Sequence, residues 1–316
     1  MGGAAARPLR DRPVTVEPGG ASARAGGGVP LGNSYLDRLA ARSAASGTVL
    51  CLGLDPDPAA LPAGFSPDLA GIEAFSRLLL EAAAPLAAAV KPNLAFFEAY
   101  GSAGLAALER LRAAIPADIP VVVDAKRGDI GTTAARQAVA LFDALGADAV
   151  TVNPYLGEEA IAPLLGRLDR FAYVLCRTSN PGAGELQSLV VAADEDADLP
   201  AEPLYARVAR RVAGWGPGGT VGLVVGATAP LELAGVRALA PGLAFLVPGV
   251  GAQGGEIGPV LADGRARATP AGDRPGGGLL VNVSRAIAAE ALAAADPAEA
   301  IRTAAADWAT RLPVLP

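Results

Sequence analysis

The chain has 316 residues, of which 52% are hydrophobic and 18% charged, so it has ample apolar material for a core and is not a disordered polymer. Its formal net charge of −6 argues against a nucleic-acid-binding protein that relies on a general basic surface. Histidine is absent, which excludes imidazole catalysis and His-ligated zinc, and two cysteines are too few for a disulfide scaffold or a four-cysteine metal site.

Residues 1–32 are rich in glycine, alanine, proline and arginine and show no apolar periodicity. We interpret them as a disordered extension ahead of a single domain at 33–316. The extension lacks the apolar segment of a secretory signal, and no uncharged apolar run in the chain has the length of a membrane span. We therefore expect a cytoplasmic protein with no membrane or nucleic-acid partner.

From residue 33 onward, short apolar segments alternate with helical segments rich in alanine and leucine. The predicted strands lie at 49–55, 88–93, 119–124, 149–153, 171–177, 220–226, 243–249 and 279–283, and helices at 72–84, 104–114, 133–145 and 230–239 separate some of them. Nearly continuous apolar strands are typical of parallel sheets that are buried on both faces. Eight such β/α units predict a (β/α)8 TIM barrel. A doubly wound sheet is the alternative, although no G-x-G-x-x-G follows the first strand.

Two stretches interrupt the alternation. Residues 188–203 contain an acidic run before a helix, and residues 262–278 form a loop rich in glycine, proline and arginine before the eighth strand. We interpret both as solvated surface loops. The second is close in sequence to the expected phosphate site and could instead act as a lid.

Only two of the 26 basic residues are lysines, Lys91 and Lys126. A compact ammonium with a transferable proton cannot be replaced by arginine, so both are candidates for chemistry. They lie at the C-terminal ends of neighbouring predicted strands, which is the catalytic face of a TIM barrel. Asp124 is two residues before Lys126 and should share its face, and Asp129 follows in the loop. A pair of salt bridges that merely closes the barrel is the structural alternative.

The sequence Asp-Ala-Lys-Arg-Gly-Asp-Ile-Gly-Thr-Thr at 124–133 resembles the signature of the orotidine 5′-phosphate decarboxylases, in particular the longer bacterial subgroup called type 2. Segments at 51–57, 90–98, 177–183, 248–255 and 281–285 resemble further motifs of that family, so the likeness covers nearly the whole chain after residue 32. The resemblance implies a carboxy-lyase that converts orotidine 5′-monophosphate (OMP) to UMP in pyrimidine biosynthesis, without a metal or cofactor. It also implies a homodimer with shared active sites.

That reaction requires a cation where this chain has Lys126. Loss of CO₂ from C6 of the pyrimidine leaves an electron pair in the ring plane, which the ring π system cannot delocalise. A fixed ammonium beside C6 can stabilise this charge and then deliver a proton. The resemblance implies that Asp124 faces the substrate carboxylate and that Lys91 completes the charge array. Asp129 would serve the site of the neighbouring subunit.

The same resemblance implies a set of substrate-binding residues. They are Asp55 at the ribose, Ser179 at the pyrimidine, Ile130 and Thr133 across the dimer interface, and Gln253 and Arg285 at the phosphate. Gln253 and Arg285 follow the seventh and eighth predicted strands, where many barrels bind phosphate. Asn153 after the fourth strand is either a site residue or a turn former.

Two other functions stay open. Sugar-phosphate enzymes of the same superfamily, such as 3-keto-gulonate-6-phosphate decarboxylase and hexulose-phosphate synthase, use the Asp-x-Lys-x-x-Asp motif with Mg²⁺. They would need a second acidic ligand after the second strand, where this chain has Asn93, with Glu98 further on. A catalytically inert barrel that binds a nucleotide is the other alternative. Cys51 and Cys176 are expected to pack as small apolar residues.

Overall fold

The structure is a computed structural model that describes residues 34–196 and 198–315. Its eight parallel barrel strands are β1 Leu50–Leu54, β2 Ala89–Pro92, β3 Val122–Arg127, β4 Ala149–Val152, β5 Phe171–Arg177, β6 Val221–Val225, β7 Ala244–Val247 and β8 Leu280–Val283. They are hydrogen-bonded in the order β2-β1-β8-β7-β6-β5-β4-β3. Parallel bridges join Val90 to Val121 and Asn93 to Asp124, which brings β2 against β3 and nearly closes the barrel. The predicted (β/α)8 TIM barrel is confirmed. The predicted extension at 1–32 lies outside the described residues.

Helices connect the strands along the outside of the barrel. The α-helices are Tyr35–Ser46, Leu69–Ala83, Ala95–Glu98, Gly101–Ala114, Gly131–Ala138, Ala162–Leu165, Gly184–Gln187, Leu204–Val212, Pro230–Leu239, Ile257–Asp263, Arg285–Ala288 and Pro297–Arg311, with a π-helical continuation at Val139–Ala144 and 3₁₀ turns at Pro58–Ala60, Ala84–Leu86, Pro181–Ala183, Pro275–Gly278 and Ala289–Ala291. The helix predicted at 72–84 begins three residues earlier because the side chain of Asp68 caps it, accepting a hydrogen bond from the Gly71 amide. Within the described residues, no helix combines the length and the apolarity that crossing a membrane requires.

The N-terminal helix Tyr35–Ser46 closes the barrel at the end where the strands begin. Tyr35 is fully buried, and its ring stacks on Phe171 with centroids 4.8 Å apart. Its hydroxyl lies 3.1 Å from the hydroxyl of Tyr173, so the two phenols share a hydrogen bond in an otherwise apolar layer. The side chains of Tyr35, Phe171 and Tyr173 therefore fill this end of the barrel as part of its core.

The loop at 262–278 packs at the same end and is partly buried. It is therefore not simply a solvated surface loop, and the alternative that it is a lid over the phosphate site is wrong. Ala266 and Ala271 are fully buried in the apolar layer around Tyr35, and Arg274 bonds to Asp37 of the N-terminal helix at 2.8 Å. The physical reason is directional: a loop that precedes a barrel strand delivers the chain to the start of that strand. The lid would have to lie at the opposite end.

The insertion at 188–203 is an anchored hairpin and not simply a solvated loop. Val190–Val191 pairs antiparallel with Glu202–Pro203. Glu202 is buried, with 7% of its surface exposed. Its carboxylate accepts hydrogen bonds from Arg207 at 2.9 Å and Arg210 at 2.8 Å, both on the following helix Leu204–Val212. The hairpin is thereby fixed beside the C-terminal end of β5.

Candidate active site

A cavity of about 910 Å³ opens at the C-terminal ends of the strands. Seven of the ten residues predicted to form the site line it, namely Asp55, Lys91, Asp124, Lys126, Ser179, Gln253 and Arg285. The remaining three are Asp129, Ile130 and Thr133, and they lie outside this lining. The position of the cavity follows from the parallel barrel, because the loops that follow all eight strands meet at one end.

Two lysines and one aspartate form a charged array on the cavity wall. The Nζ atom of Lys91 lies 2.9 Å from Oδ2 of Asp124, and the Nζ atom of Lys126 lies 2.6 Å from Oδ1 of the same carboxylate. The side chain of Lys91 is 5% exposed, whereas that of Lys126 is 52% exposed. Lys91 is therefore a buried partner of Asp124, and Lys126 is the ammonium that a ligand in the cavity can reach.

Asp124 and Lys91 keep their charges at neutral pH. Burial by itself raises the pKa of Asp124, but the ammonium groups of Lys91 and Lys126 outweigh burial and hold that pKa well below its usual range. Burial likewise lowers the pKa of Lys91, and the carboxylates of Asp124 and Asp55 more than reverse the effect. The cavity wall thus presents alternating fixed charges.

The backbone around Lys126 is not that of a regular strand. Lys126 has φ 48°, in the left-handed region, and the register between β3 and β4 shifts between Val123 and Arg127. The predicted strand ended at Asp124, but β3 continues to Arg127 through this irregularity. Simple alternation was therefore the wrong reason for expecting Asp124 and Lys126 to meet, since a bend in the strand brings them together.

Thr151 on β4 belongs to the array and was missed by the sequence analysis. Its hydroxyl accepts hydrogen bonds from the backbone amides of Ala125 and Lys126, both at 3.0 Å. It donates to Oδ1 of Asp124 at 2.9 Å. The available signal was a hydroxyl at an inward position of the otherwise apolar segment Ala149–Val152.

Glycines bring the loops after β5, β6 and β7 together around Ser179. A Cβ on Gly226 would lie 2.8 Å from the backbone N and Cα of Ser179, and one on Gly249 would lie 3.0 Å from Oε1 of Gln253. Arg285 also lines this cavity and is exposed, and its guanidinium makes no hydrogen bond or ion pair with any other described residue. These groups form the part of the cavity that can grip an anionic ligand.

Gln187 braces the loop that carries Ser179 and was also missed. Its Oε1 accepts from the Thr178 amide at 2.9 Å, and its Nε2 donates to the Thr178 hydroxyl at 2.7 Å. That hydroxyl donates in turn to Asn180 at 2.6 Å. No short sequence motif marks Gln187, because it reaches Thr178 only through the fold of the loop.

The other sequence candidates have local partners. Asn153 is exposed, and its Oδ1 accepts from the Tyr155 amide at 3.0 Å, which is the geometry of a turn former. Glu98 forms an ion pair with Arg127.

Cys51 and Cys176 are buried as expected, and burial raises the pKa of each thiol to about 12. Among residues 34–196 and 198–315, no group of three or more acidic, histidine or cysteine side chains is placed to hold a metal ion.

The fold and the site define an enzyme of the TIM-barrel class, with a charged array at the mouth of the barrel. A sequence model described as the orotidine 5′-phosphate decarboxylase / HUMPS family matches residues 48–304. The chain belongs to this family.

Curated relatives and solved structures agree with that assignment. The chain is 48% identical over 273 residues to the orotidine 5′-phosphate decarboxylase of Thermomicrobium roseum, covering 86% of this chain and 92% of the relative. It is 44% identical to that of Herpetosiphon aurantiacus, covering 80% and 88%. The structure of Leishmania donovani OMP decarboxylase matches with a TM-score of 0.71 at 41% identity, covering 88% and 96%. The Methanocaldococcus jannaschii enzyme complexed with the inhibitor BMP has a TM-score of 0.58 at 18% identity, covering 84% and 98%, and so supports the fold alone.

Proposed function

We propose that this protein decarboxylates OMP to UMP and that the Lys91–Asp124–Lys126 array is its catalytic centre. The observation that carries the proposal is this array, with Nζ to carboxylate distances of 2.9 and 2.6 Å, inside a cavity at the catalytic end of the barrel. Membership of the family and relatives named orotidine 5′-phosphate decarboxylase at 41–48% identity support the same reaction.

In the proposed mechanism, the bond between C6 and the carboxylate carbon breaks and its electron pair stays on C6. The ammonium of Lys126 stabilises this developing charge, because it is fixed beside the ring and needs little reorganisation. Its Nζ proton then forms the new C6–H bond, and solvent returns a proton to the amine. Asp124 holds Lys126 in place, and buried Lys91 balances the charge of Asp124.

The rest of the cavity would bind the nucleotide. We assign Asp55 to the ribose, Ser179 to the pyrimidine, and Gln253 and Arg285 to the phosphate. Two observations support this assignment. Gly226 and Gly249 allow the loops that carry Ser179 and Gln253 to approach closely, and the guanidinium of Arg285 has no partner among the described residues and is available for a phosphate. A cytoplasmic location is part of the proposal, because it accords with pyrimidine biosynthesis.

The first test is turnover of OMP, followed by the loss of its ultraviolet absorbance with and without EDTA. We expect turnover that EDTA does not change. Lys126→Ala should lower kcat by about 10²- to 10⁴-fold, since it removes the proton donor, and should still bind UMP in calorimetry. Arg302→Ala is the control, because it removes an exposed cation from the helix Pro297–Arg311 and should leave turnover unchanged.

Each alternative predicts a different result. Normal turnover by Lys126→Ala would contradict the role of this lysine. Activity on a sugar phosphate that is lost with EDTA would favour the Mg²⁺-dependent relatives. UMP binding by the wild-type protein without turnover would favour the inert nucleotide-binding barrel.

We further infer that the active unit is a homodimer with shared sites, in which Asp129, Ile130 and Thr133 serve the neighbouring cavity. These three residues do not line their own cavity. Among the described residues, Oδ1 of Asp129 accepts a hydrogen bond only from the adjacent Ile130 amide, at 2.7 Å. Ile130 is 60% exposed, and the nearby loop exposes 82% of Tyr155 and 52% of Leu156. Exposed large apolar side chains beside a required carboxylate support a contact with a second copy.

Shared sites predict complementation between inactive variants. Lys126→Ala and Asp129→Ala should each be inactive alone, and a mixture should recover about a quarter of wild-type activity, since half of randomly paired dimers keep one intact site of two. The measurement is OMP turnover after denaturation and joint refolding, with heterodimers verified by native mass spectrometry. Verified heterodimers without recovered turnover would contradict shared sites.

A further inference from the structure

We propose that Thr151 is a positioning residue for the catalytic lysine, because its hydroxyl fixes both the bent backbone of β3 and the carboxylate that holds Lys126. The geometric part of this inference stands on the structure, whereas its catalytic consequence rests on the proposed function. No sequence motif of the site includes Thr151, and it lies on a different strand from Asp124 and Lys126.

The Thr151 hydroxyl uses its full hydrogen-bonding capacity on the array. A hydroxyl has one proton to donate and two lone pairs to accept with. Here the proton goes to Oδ1 of Asp124, and the lone pairs receive the amides of Ala125 and Lys126. Thr151 is 2% exposed, so these bonds are made in a buried environment where unmade bonds are costly.

The backbone at Lys126 needs such a partner. Its φ of 48° is disfavoured for any residue that carries a Cβ. The register shift between Val123 and Arg127 interrupts the regular pairing with β4 at Ala125 and Lys126. The Thr151 side chain replaces the strand carbonyl as acceptor for both amides, which stabilises the bend.

Packing alone does not require a hydroxyl at position 151 of the cavity wall. Strands β5, β6 and β7 contribute Leu175, Val224 and Leu246 to the same cavity, and none of these side chains can accept or donate a hydrogen bond. A valine at 151 would suit a buried strand equally well by shape and strand propensity. It could neither hold the two amides nor orient Oδ1 of Asp124, which is the oxygen bound by Lys126.

Thr151→Val tests the inference because it exchanges the hydroxyl for a methyl group of similar size. We expect kcat on OMP to fall about 10- to 100-fold, as for loss of hydrogen bonds to a charged group, with little change in KM. Thr151→Ser restores the hydroxyl and should recover most of kcat. Thr220→Val is the matched control, since Thr220 is 1% exposed, precedes β6 at the opposite end of the barrel, and its hydroxyl has no partner among the described residues.

Crystal structures of the variants separate this inference from the proposed function. In Thr151→Val we expect Lys126 to leave the left-handed region or its Nζ to move away from Asp124, whatever the substrate of the enzyme. If the wild-type protein does not turn over OMP, the proposed function is overturned. The structure of Thr151→Val then still decides whether Thr151 positions Lys126.

Three results would overturn the positioning role itself. They are an unchanged kcat in Thr151→Val, an unchanged Lys126 geometry in its structure, and a Thr151→Ser variant that stays as slow as the valine variant. If Thr151→Val does not fold, Thr151→Ala with Thr220→Ala as its control takes its place, and the same fall in kcat is expected only at position 151.

Discussion

Two glycines at strand ends decide how closely the loops of the cavity approach one another. The Cβ of any other residue at Gly226 would meet the backbone of Ser179, which cannot move without displacing its loop. At Gly249 the neighbours would be the side chains of Ser179 and Gln253, and its φ of 99° independently favours glycine. The shape of the cavity therefore depends on the missing side chains of Gly226 and Gly249 as well as on its charged residues.

Gly226→Ala should therefore weaken substrate binding. Overpacking costs about 1–3 kcal/mol, and if it displaces the Ser179 loop, KM for OMP rises about 5- to 100-fold. Gly235→Ala is the control, because a Cβ there meets nothing within 4 Å on the helix Pro230–Leu239. It should stabilise the protein by about 0.5–1 kcal/mol without changing KM. Steady-state kinetics and thermal unfolding measure both effects, and an unchanged KM in Gly226→Ala would show that the loop is not placed by this contact.

Among the elements, the hairpin at 188–203 depends on one carboxylate. Glu202 holds the hairpin to the helix Leu204–Val212 through Arg207 and Arg210. Burial raises the pKa of Glu202, but the two guanidinium groups outweigh it and lower that pKa overall. A carboxylate with a lowered folded-state pKa contributes stability above its unfolded pKa and loses it as the pH falls through the folded value.

Glu202→Gln should lower the free energy of local opening of the hairpin by about 2 kcal/mol at neutral pH, as expected when hydrogen bonds between charged groups are lost. In the wild-type protein the same anchor should weaken as the pH falls below about 4. Limited proteolysis of the hairpin measures both effects, and the variant should lack this pH-dependent part. Glu299→Gln is the control, because it removes an exposed ion pair with Arg302. The hairpin in this variant should be cleaved no faster than in the wild-type protein. Equal cleavage of Glu202→Gln and wild type at pH 7 would contradict the anchor.

Across the whole molecule, the two ends of the barrel have different roles. The end where the strands begin is filled by Tyr35, Phe171 and Tyr173, and the end where they finish holds the cavity. In a TIM barrel, residues at the first end serve stability and residues at the second serve chemistry. Stability and turnover should therefore respond to separate substitutions.

Tyr35→Ala tests this separation. We expect it to lower the free energy of unfolding by about 3–5 kcal/mol, because it leaves a large cavity in the core, while kcat and KM stay at wild-type values in the folded protein. Tyr35→Phe removes only the hydrogen bond to Tyr173 and should cost about 1 kcal/mol. Urea unfolding and steady-state kinetics give the two readouts. A fall in kcat without loss of stability would link the two ends.

The strands and the place of the cavity could be predicted from sequence because both follow from patterns within single segments. Apolar runs mark buried parallel strands, and polar residues just after them mark the catalytic end. The hydrogen bonds of Thr151 and Gln187 could not be predicted, since they join separate segments through register and loop conformation. The loop at 262–278 could not be placed from sequence, because closeness in sequence to the expected phosphate site does not imply closeness in space.

The scarcity of lysine gives the molecule an unusual response to covalent labelling. Most proteins offer many surface amines to acylating reagents, but this chain has only two lysines. Lys91 is buried, and Lys126 opens into the cavity. Apart from the terminal amine, a general amine reagent therefore becomes a reagent for one position, and a bound nucleotide would shield it. Attachment to a surface through a lysine amine, a routine step for other proteins, would here occupy the cavity itself.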